Sequence, residues 1–448
     1  MRVDTVLLFI LGVVVVALGL LVSIALHEWG HYYPAKKFGV YISQFMIGFG
    51  PTLFSRRRGD TEYGIKAIPL GGYVAMAGMY APQGPDKKTE TSTTGFFDQV
   101  VGESSLTETA TEAITEVEID SRSFYRLPLH RRIIIMLGGP VMNLFIAIVL
   151  YAVVLMGFGV PSLSLTVGSV SECVVPATES RSECLPDDPA APGAAAGILP
   201  GDRILSVAGE EIDEWFRVTE IIRTSPGRPV DVVVDRGGDE LQLSVTPLLS
   251  ERYAFDESGE ILVDEAGNPV VEYVGFVGIG SSLENQRQSV TTVLPAVWDN
   301  VVGVVRVIVT LPQRLVDVAQ AAFGPQERDP NGPLSVVGVG RIAGEIASVE
   351  SLAVRNRIAS LVGIVASLNV ALFVFNLIPL LPLDGGHVAV GLYEGVKRRL
   401  YRVLGKKDPG PVNASSLIPV TLVVVVILGG MSLLLMYADI VNPIRLFS

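Results

Sequence analysis

Two histidines four residues apart bracket a glutamate in the stretch His27-Glu28-Trp29-Gly30-His31. On a helix, residues four apart share a face, so both imidazoles can reach one metal ion while Glu28 stands beside them to take a proton from water. That is the chemistry of a zinc hydrolase. The bland alternative is a pair of interface histidines with a snorkelling glutamate. The chain holds only four histidines, and ionisable groups at membrane depth are costly and functional. Both points favour the metal.

The element that carries the motif is apolar. Hydrophobic residues make up 49% of the chain and charged residues 18%, an unusual balance for a soluble protein. Four stretches, 5–26, 133–160, 358–383 and 410–438, lack any Asp, Glu, Lys or Arg. Each is long enough for a helix across a hydrocarbon core of about 30 Å. The first is too long for a signal-peptide core and lacks a small-x-small cleavage site, so it is read as a retained helix.

Basic residues orient these helices. Lys36, Lys37, Arg56, Arg57, Arg58, Lys66, Arg131 and Arg132 lie between the first and second, and Lys397, Arg398, Arg399 and Arg402 between the third and fourth. Both connections therefore read as cytoplasmic. The long connection between the second and third helices has no lysine and reads as extracytoplasmic, as do both termini. Cys173 and Cys184, the two cysteines of the chain, fall there, where oxidation to a disulfide is expected. A net charge of −12 argues against nucleic acid as a partner.

Catalytic zinc takes three protein ligands and a water. The first and third helices run in the same direction, so the end of the third must lie at the level of His27 and His31. There the sequence reads Asn376-Leu-Ile-Pro-Leu-Leu-Pro-Leu-Asp384-Gly-Gly-His387. Asp384 is the first carboxylate after the uncharged run. Pro379 and Pro382 break the helix ahead of it, and Gly385 and Gly386 permit a tight turn after it. Asp384 is the expected third ligand and His387 the runner-up.

HEWGH, then GGPVMN at 138–143, then NLIPLLPLDGG together resemble the site-2 protease family of membrane-embedded zinc metalloproteases. The likeness is to its bacterial branch with a PDZ domain between the second and third core helices. The resemblance implies cleavage of peptide bonds inside the membrane, one zinc ion held by His27, His31 and Asp384, and Glu28 as catalytic base. It also singles out Asn376, either as a donor to the substrate carbonyl or as an ordinary interhelical hydrogen-bonding residue. For Asn143 the interhelical role is preferred over substrate handling.

The expected fold is a polytopic α-helical membrane protein of about four transmembrane helices with a membrane-associated β-hairpin or small sheet and an extracytoplasmic PDZ (α+β) domain. Residues 1–80 hold helix 1, HEWGH and the hairpin, whose strands flank the turn signal Gly59-Asp60 and offer an edge to an extended substrate. Residues 81–130 read as a cytoplasmic linker rich in Thr, Ser, Glu and Gly, and 131–160 as helix 2. By resemblance, 163–285 holds the PDZ-like domain and its extension, able to take peptide C-termini. Residues 286–350 read as an amphipathic membrane-surface segment, 355–384 as helix 3 with LDGG, 385–409 as a cytoplasmic loop and 410–440 as helix 4.

The resemblance further implies a bacterial inner-membrane protein. Its substrates would be single-pass membrane proteins, anti-sigma factors already cut outside or remnant signal peptides, in regulated intramembrane proteolysis of a stress response. Two other readings are a zinc membrane hydrolase of a non-peptide substrate and a PDZ-bearing scaffold. An intact Glu28 speaks against the scaffold, and a peptide-binding module against the non-peptide substrate.

Overall fold

The computed structural model describes residues 3–79, 91–94, 116–179, 181, 183–254, 261–264, 268–324, 328–329, 332–410, 412 and 418–444. In chain order these form α1 (Val3–Lys37), β1 (Ile42–Arg58), β2 (Thr61–Ala77), β3 (Thr91–Thr93), α2 (Glu116–Ser121) and α3 (Leu129–Ala152). Then come β4 (Val160–Val170), α4 (Pro192–Ala195), β5 (Arg203–Val207), β6 (Glu210–Glu211), α5 (Trp215–Arg223), β7 (Val230–Arg236) and β8 (Asp239–Val245). The chain continues through β9 (Leu248–Tyr253), β10 (Val271–Phe276), β11 (Ile279–Gln286), α6 (Val293–Phe323), α7 (Val336–Ser348), α8 (Val354–Asn376), α9 (Asp384–Val403) and α10 (Ile418–Val441). Two compact units result, 1–158 with 289–448, and 159–288.

The larger unit is built on α1, a 35-residue helix of Val, Leu and Ile in which small residues mark the crossings. A Cβ on Gly12 would lie 2.6 Å from the Ala347 Cβ of α7, and one on Gly19 would lie 2.8 Å from Val365 of α8. Close approach of helices through small residues is how helices associate in lipid, where no hydrophobic drive remains between them. Helices α1 and α8 are parallel, since Val16 clusters with Leu361 and Val365, while Ser23 Oγ accepts a 2.8 Å bond from Asn369. The end of α8 therefore lies at the level of the HEWGH motif.

Five helices are long and apolar enough to cross a membrane: Val3–Lys37, Leu129–Phe158, Val290–Phe323, Val354–Asn376 and Pro419–Val441. Four were expected from the sequence. The added one is the segment laid on the membrane surface, where Asp299, Arg306, Arg314 and Asp317 interrupt the uncharged run that was the criterion. It forms one continuous helix, packing Val297 and Val301 against α3 and α8 and Val318 and Ala322 against α10.

The expected hairpin or small sheet is a sheet of β1, β2 and β3 in which β1 and β2 each pair as two separate halves. Gln44 of β1 pairs with both Glu62 and Ala75, Glu62 pairs with Arg57, and Ala75 pairs with Thr93. The spatial order is thus 52–58, 61–66, 42–47, 72–77 and 91–93. Gly48 and Gly50, at φ of 91° and 79°, bend β1 so that its two halves pair separately.

Two expectations need correction. The linker at 81–130 contains β3 and α2, although 80–90 and 95–115 lie outside the described residues. Residues 385–409, read as a loop, are mostly the helix α9, because its many charges obscured a stripe that packs on α3. Buried Glu394 receives Arg132 of α3 at 2.8 Å.

The smaller unit has a sheet ordered β11-β4-β5-β7-β8, with β6 paired to β5. Alternate residues of β5 and β7, Ile204, Val230, Val232 and Val234, meet Trp215, Val218 and Ile222 of α5 in its core. Asp202, 1% exposed, takes two 2.7 Å bonds from Arg236 and a 2.8 Å bond from Leu199 N–H. These, the Arg236 bond foremost, hold its carboxyl below the usual range despite burial. Between β4 and α4 the chain makes an excursion that a Cys173–Cys184 disulfide closes.

Candidate active site

The HEWGH residues lie in the C-terminal third of α1, which stays helical through Lys37. Antiparallel α3 crosses beside them, with Ile135 level with His31 and Asn143 level with His27. The crossing is backbone to backbone. A Cβ on Gly30 would collide with the carbonyl of Gly138, and one on Gly138 with the carbonyl of Gly30. This brings Gly139 onto the imidazoles, where a Cβ would sit 2.7 Å from His27 Nε2 and closer still to His31 Nε2. Of the two glycines of GGPVMN, Gly138 is thus explained by backbone contact with Gly30 and Gly139 by contact with the two histidines.

Asp384 arrives from the other side. After Asn376 the chain turns through 377–383, and Asp384 opens α9. Gly385 and Gly386 lie in the first turn of this helix and not in a tight loop. A Cβ on Gly385 would meet the carbonyl oxygens of Leu377 and Ile378, and one on Gly386 would lie 2.5 Å from Leu381 N. The LDGG pattern therefore lets a helix start pressed against the turn that precedes it. The Arg132–Glu394 pair then ties α9 to α3.

The result is a triangle of ligand atoms. His27 Nε2 and His31 Nε2 are 3.2 Å apart, and Asp384 Oδ2 lies 3.4 Å from the first and 3.3 Å from the second. Tetrahedral zinc with bonds of 2.0–2.1 Å spaces its ligands about 3.3 Å apart, so the three fit that ion. Asp384 Oδ2 is buried and accepts no hydrogen bond among the described residues, an arrangement a cation would complete. Ile135 O, 2.8 Å from His31 Nδ1, accepts a hydrogen bond from Nδ1–H and so leaves Nε2 free to ligate an ion. The Asn143 amide nitrogen stands 3.1 Å from His27 Nδ1; turned over, the amide would bring its oxygen, which has no partner among the described residues, to accept from Nδ1–H.

A model of peptidase family M50 matches residues 15–407. The chain belongs to that family. It is 33% identical over 450 residues to "Zinc metalloprotease Rip1" of Mycobacterium tuberculosis, covering 98% of this chain and 100% of that protein. It is 31% identical to the Rip1 of Mycolicibacterium smegmatis over 98% and 100%. To "Metalloprotease MmpA" of Caulobacter vibrioides it is 30% identical, over 88% and 87%. The protein is accordingly a membrane zinc metalloprotease of the site-2 protease family, its cofactor is zinc, and the readings as scaffold and as non-peptide hydrolase fall away.

Among the described residues, His27, His31 and Asp384 form the one cluster able to hold a metal. His387 lies outside it and lines a cavity with Met136, Leu381 and Glu394. Glu28 is 5% exposed and accepts a 2.8 Å bond from Thr94 Oγ1. The asparagine hydrogen-bonded to a cluster histidine is Asn143, while Asn376 is the half-buried last residue of α8. Sequence reasoning missed Thr94, because a threonine in a Thr/Ser-rich tract has no distinguishing neighbour. It also missed Asn369, whose one available signal was an amide inside an uncharged helix.

Proposed function

We propose that this protease cuts peptide bonds within the transmembrane segments of single-pass membrane proteins, with His27, His31 and Asp384 holding one zinc ion and Glu28 as base. The observation that carries the reading is the burial of Glu28, His31 and Asp384, with the His27 side chain only 12% exposed, among helices of membrane-spanning length. Zinc in this site would polarise water and the scissile carbonyl. Glu28 takes the water's proton and passes it to the leaving nitrogen, so the carboxylate ends as it began. The Ile135 carbonyl and the Asn143 amide orient the two imidazoles. Asn376, at the end of α8, serves as a donor to the carbonyl oxygen as it gains charge.

A peptide bond in a helix is shielded by its own backbone pairing, so the substrate must be held extended before attack. The strand 72–77 supports such a role. Gly72 packs against Glu28, its Cβ position 2.9 Å from Glu28 Cγ. An extended peptide added to this strand would bring its backbone past the carboxylate.

The smaller unit is read as an extracytoplasmic PDZ-like domain that takes peptide C-termini and excludes substrates with bulky outside portions. With basic connections on the cytoplasmic side of a bacterial inner membrane, the substrates would be anti-sigma factors shortened by an earlier cut, or remnant signal peptides. Reconstituted enzyme should cleave a single-pass substrate lacking its outside domain and spare the intact one. Replacement of the whole 159–288 unit by a flexible linker should permit both. Refusal of the intact substrate by a folded, zinc-loaded deletion would remove the gate from the account.

A further inference from the structure

The strand edge that faces Glu28 is already taken by the chain itself. Thr91, Ser92 and Thr93 pair antiparallel with Ala77, Met76 and Ala75, and Thr94 N–H donates to Val74 O at 3.1 Å. Thr94 then turns its hydroxyl inward, accepting a 2.9 Å bond from Val74 N–H and donating at 2.8 Å to Glu28 Oε2. The segment therefore does two things together. It satisfies the backbone groups of strand 72–77 that an incoming peptide would use, and it engages the carboxylate that must accept the water's proton.

We propose that residues 91–94 are an internal competitor for the substrate: a short strand that occupies the substrate's edge and engages the base until an extended peptide displaces it. The inference rests on the reading of strand 72–77 as the substrate-binding edge and adds to it what the edge holds between turnovers. The grip is weak by construction. Three residues of pairing with a single side-chain bond to the site make a strand that a longer peptide, pairing along more of 72–77, can replace. The composition of the strand fits such a role, since threonine and serine favour an extended backbone or tolerate it and neither is charged.

A lock and a release test the competitor. Thr94 pairs with Val74 through the backbone bond, so Ala75 and Thr93 form the neighbouring non-hydrogen-bonded pair, with Cα atoms about 4.5 Å apart. That distance is within disulfide reach. The double variant Ala75→Cys/Thr93→Cys can thus be closed by oxidation without touching Thr94 or Glu28. The release variant is Ser92→Pro, which removes a backbone N–H from the strand.

Cleavage of a shortened single-pass substrate is measured for both variants and the parent, oxidised and reduced, with zinc content determined on each sample. The parent under both conditions controls for reduction of Cys173–Cys184. The oxidised lock should retain zinc and lose at least about nine-tenths of its rate, with recovery on reduction. An edge occupied nine-tenths of the time raises the apparent KM about tenfold, so Ser92→Pro should lower KM by up to that factor at unchanged kcat. A locked enzyme that cleaves as fast as the reduced one overturns the proposal. So does a Ser92→Pro enzyme with unchanged KM or a lower kcat, which would make the strand part of the productive site. Failure of the parent to cleave any such substrate would instead sink the reading of the substrate.

Discussion

Gly139→Ala isolates the contact that brings α3 onto the two histidines of α1. The new methyl would lie 2.7 Å from His27 Nε2 and nearer to His31 Nε2, against an ordinary separation of about 3.5–4.0 Å. Either the imidazoles retreat by about 0.8 Å or more, or α1 and α3 part at a crossing where Gly30 and Gly138 already touch backbone to backbone. A shift of that size in a ligand set is expected to cost about 10–100-fold in zinc affinity and about 100-fold in rate. Helix propensity pulls the other way, since alanine is better than glycine in a helix by about 1 kcal/mol. The variant should therefore keep its helical circular dichroism and detergent-solubilised monodispersity while losing zinc to a chelator that leaves the parent loaded. Parent-like zinc retention and cleavage in Gly139→Ala would refute the argument that this glycine makes room for the imidazoles.

Asn143→Ala should weaken zinc binding about 10–100-fold in a chelator competition, and Asn143→Asp, which still accepts from His27 Nδ1–H, should recover most of it; equal loss in both would mean that the amide does not orient the imidazole. Asp202→Asn should destabilise the 159–288 unit by about 1–3 kcal/mol at neutral pH. Because the Asp202 carboxyl is held below its usual value by Arg236, its contribution is complete above the unfolded value of about 3.9 and fades as pH falls through the lower folded one. Melting curves of variant and parent should hence converge below about pH 4; a constant gap would assign the loss to packing. Serine at Cys173 and Cys184, which close a loop of sequence separation 11, should cost that unit roughly 3 kcal/mol without changing zinc content, checked by denaturant melts beside metal analysis.

The cluster proposed to hold the metal was legible because its pattern is local or set by simple topology. His27, Glu28 and His31 need only a helix, and Asp384 follows once two uncharged runs are known to be parallel. What the sequence obscured depends on backbone approach at long range. Gly139 looks like any helical glycine until α3 meets α1. Gly385 and Gly386 read as a turn because two glycines follow two prolines, whereas the need here is for close approach to the carbonyls of Leu377 and Ile378 at Gly385 and to the backbone of Leu380 and Leu381 at Gly386. Helix α9 was lost behind its charges, Glu394 among them, whose burial shows only when Arg132 is brought to it. Thr91–Thr93 are too few to signal a strand, and the register that makes them one is supplied by Ala75, Met76 and Ala77. The α6 helix was hidden because Asp299, Arg306, Arg314 and Asp317 interrupt a helix that is otherwise long and apolar enough to cross a membrane.

The central claim is that His27, His31 and Asp384 hold the zinc and that Glu28 acts on it without holding it. Zinc per polypeptide and cleavage of a shortened single-pass substrate, measured on the same purified samples of parent, Glu28→Gln, Asp384→Ala and His387→Ala, test it together. The account predicts one zinc and no cleavage for Glu28→Gln, loss of both for Asp384→Ala, and near-parental values of both for His387→Ala. Zinc lost from Glu28→Gln, or retained by Asp384→Ala while His387→Ala loses it, would contradict the account.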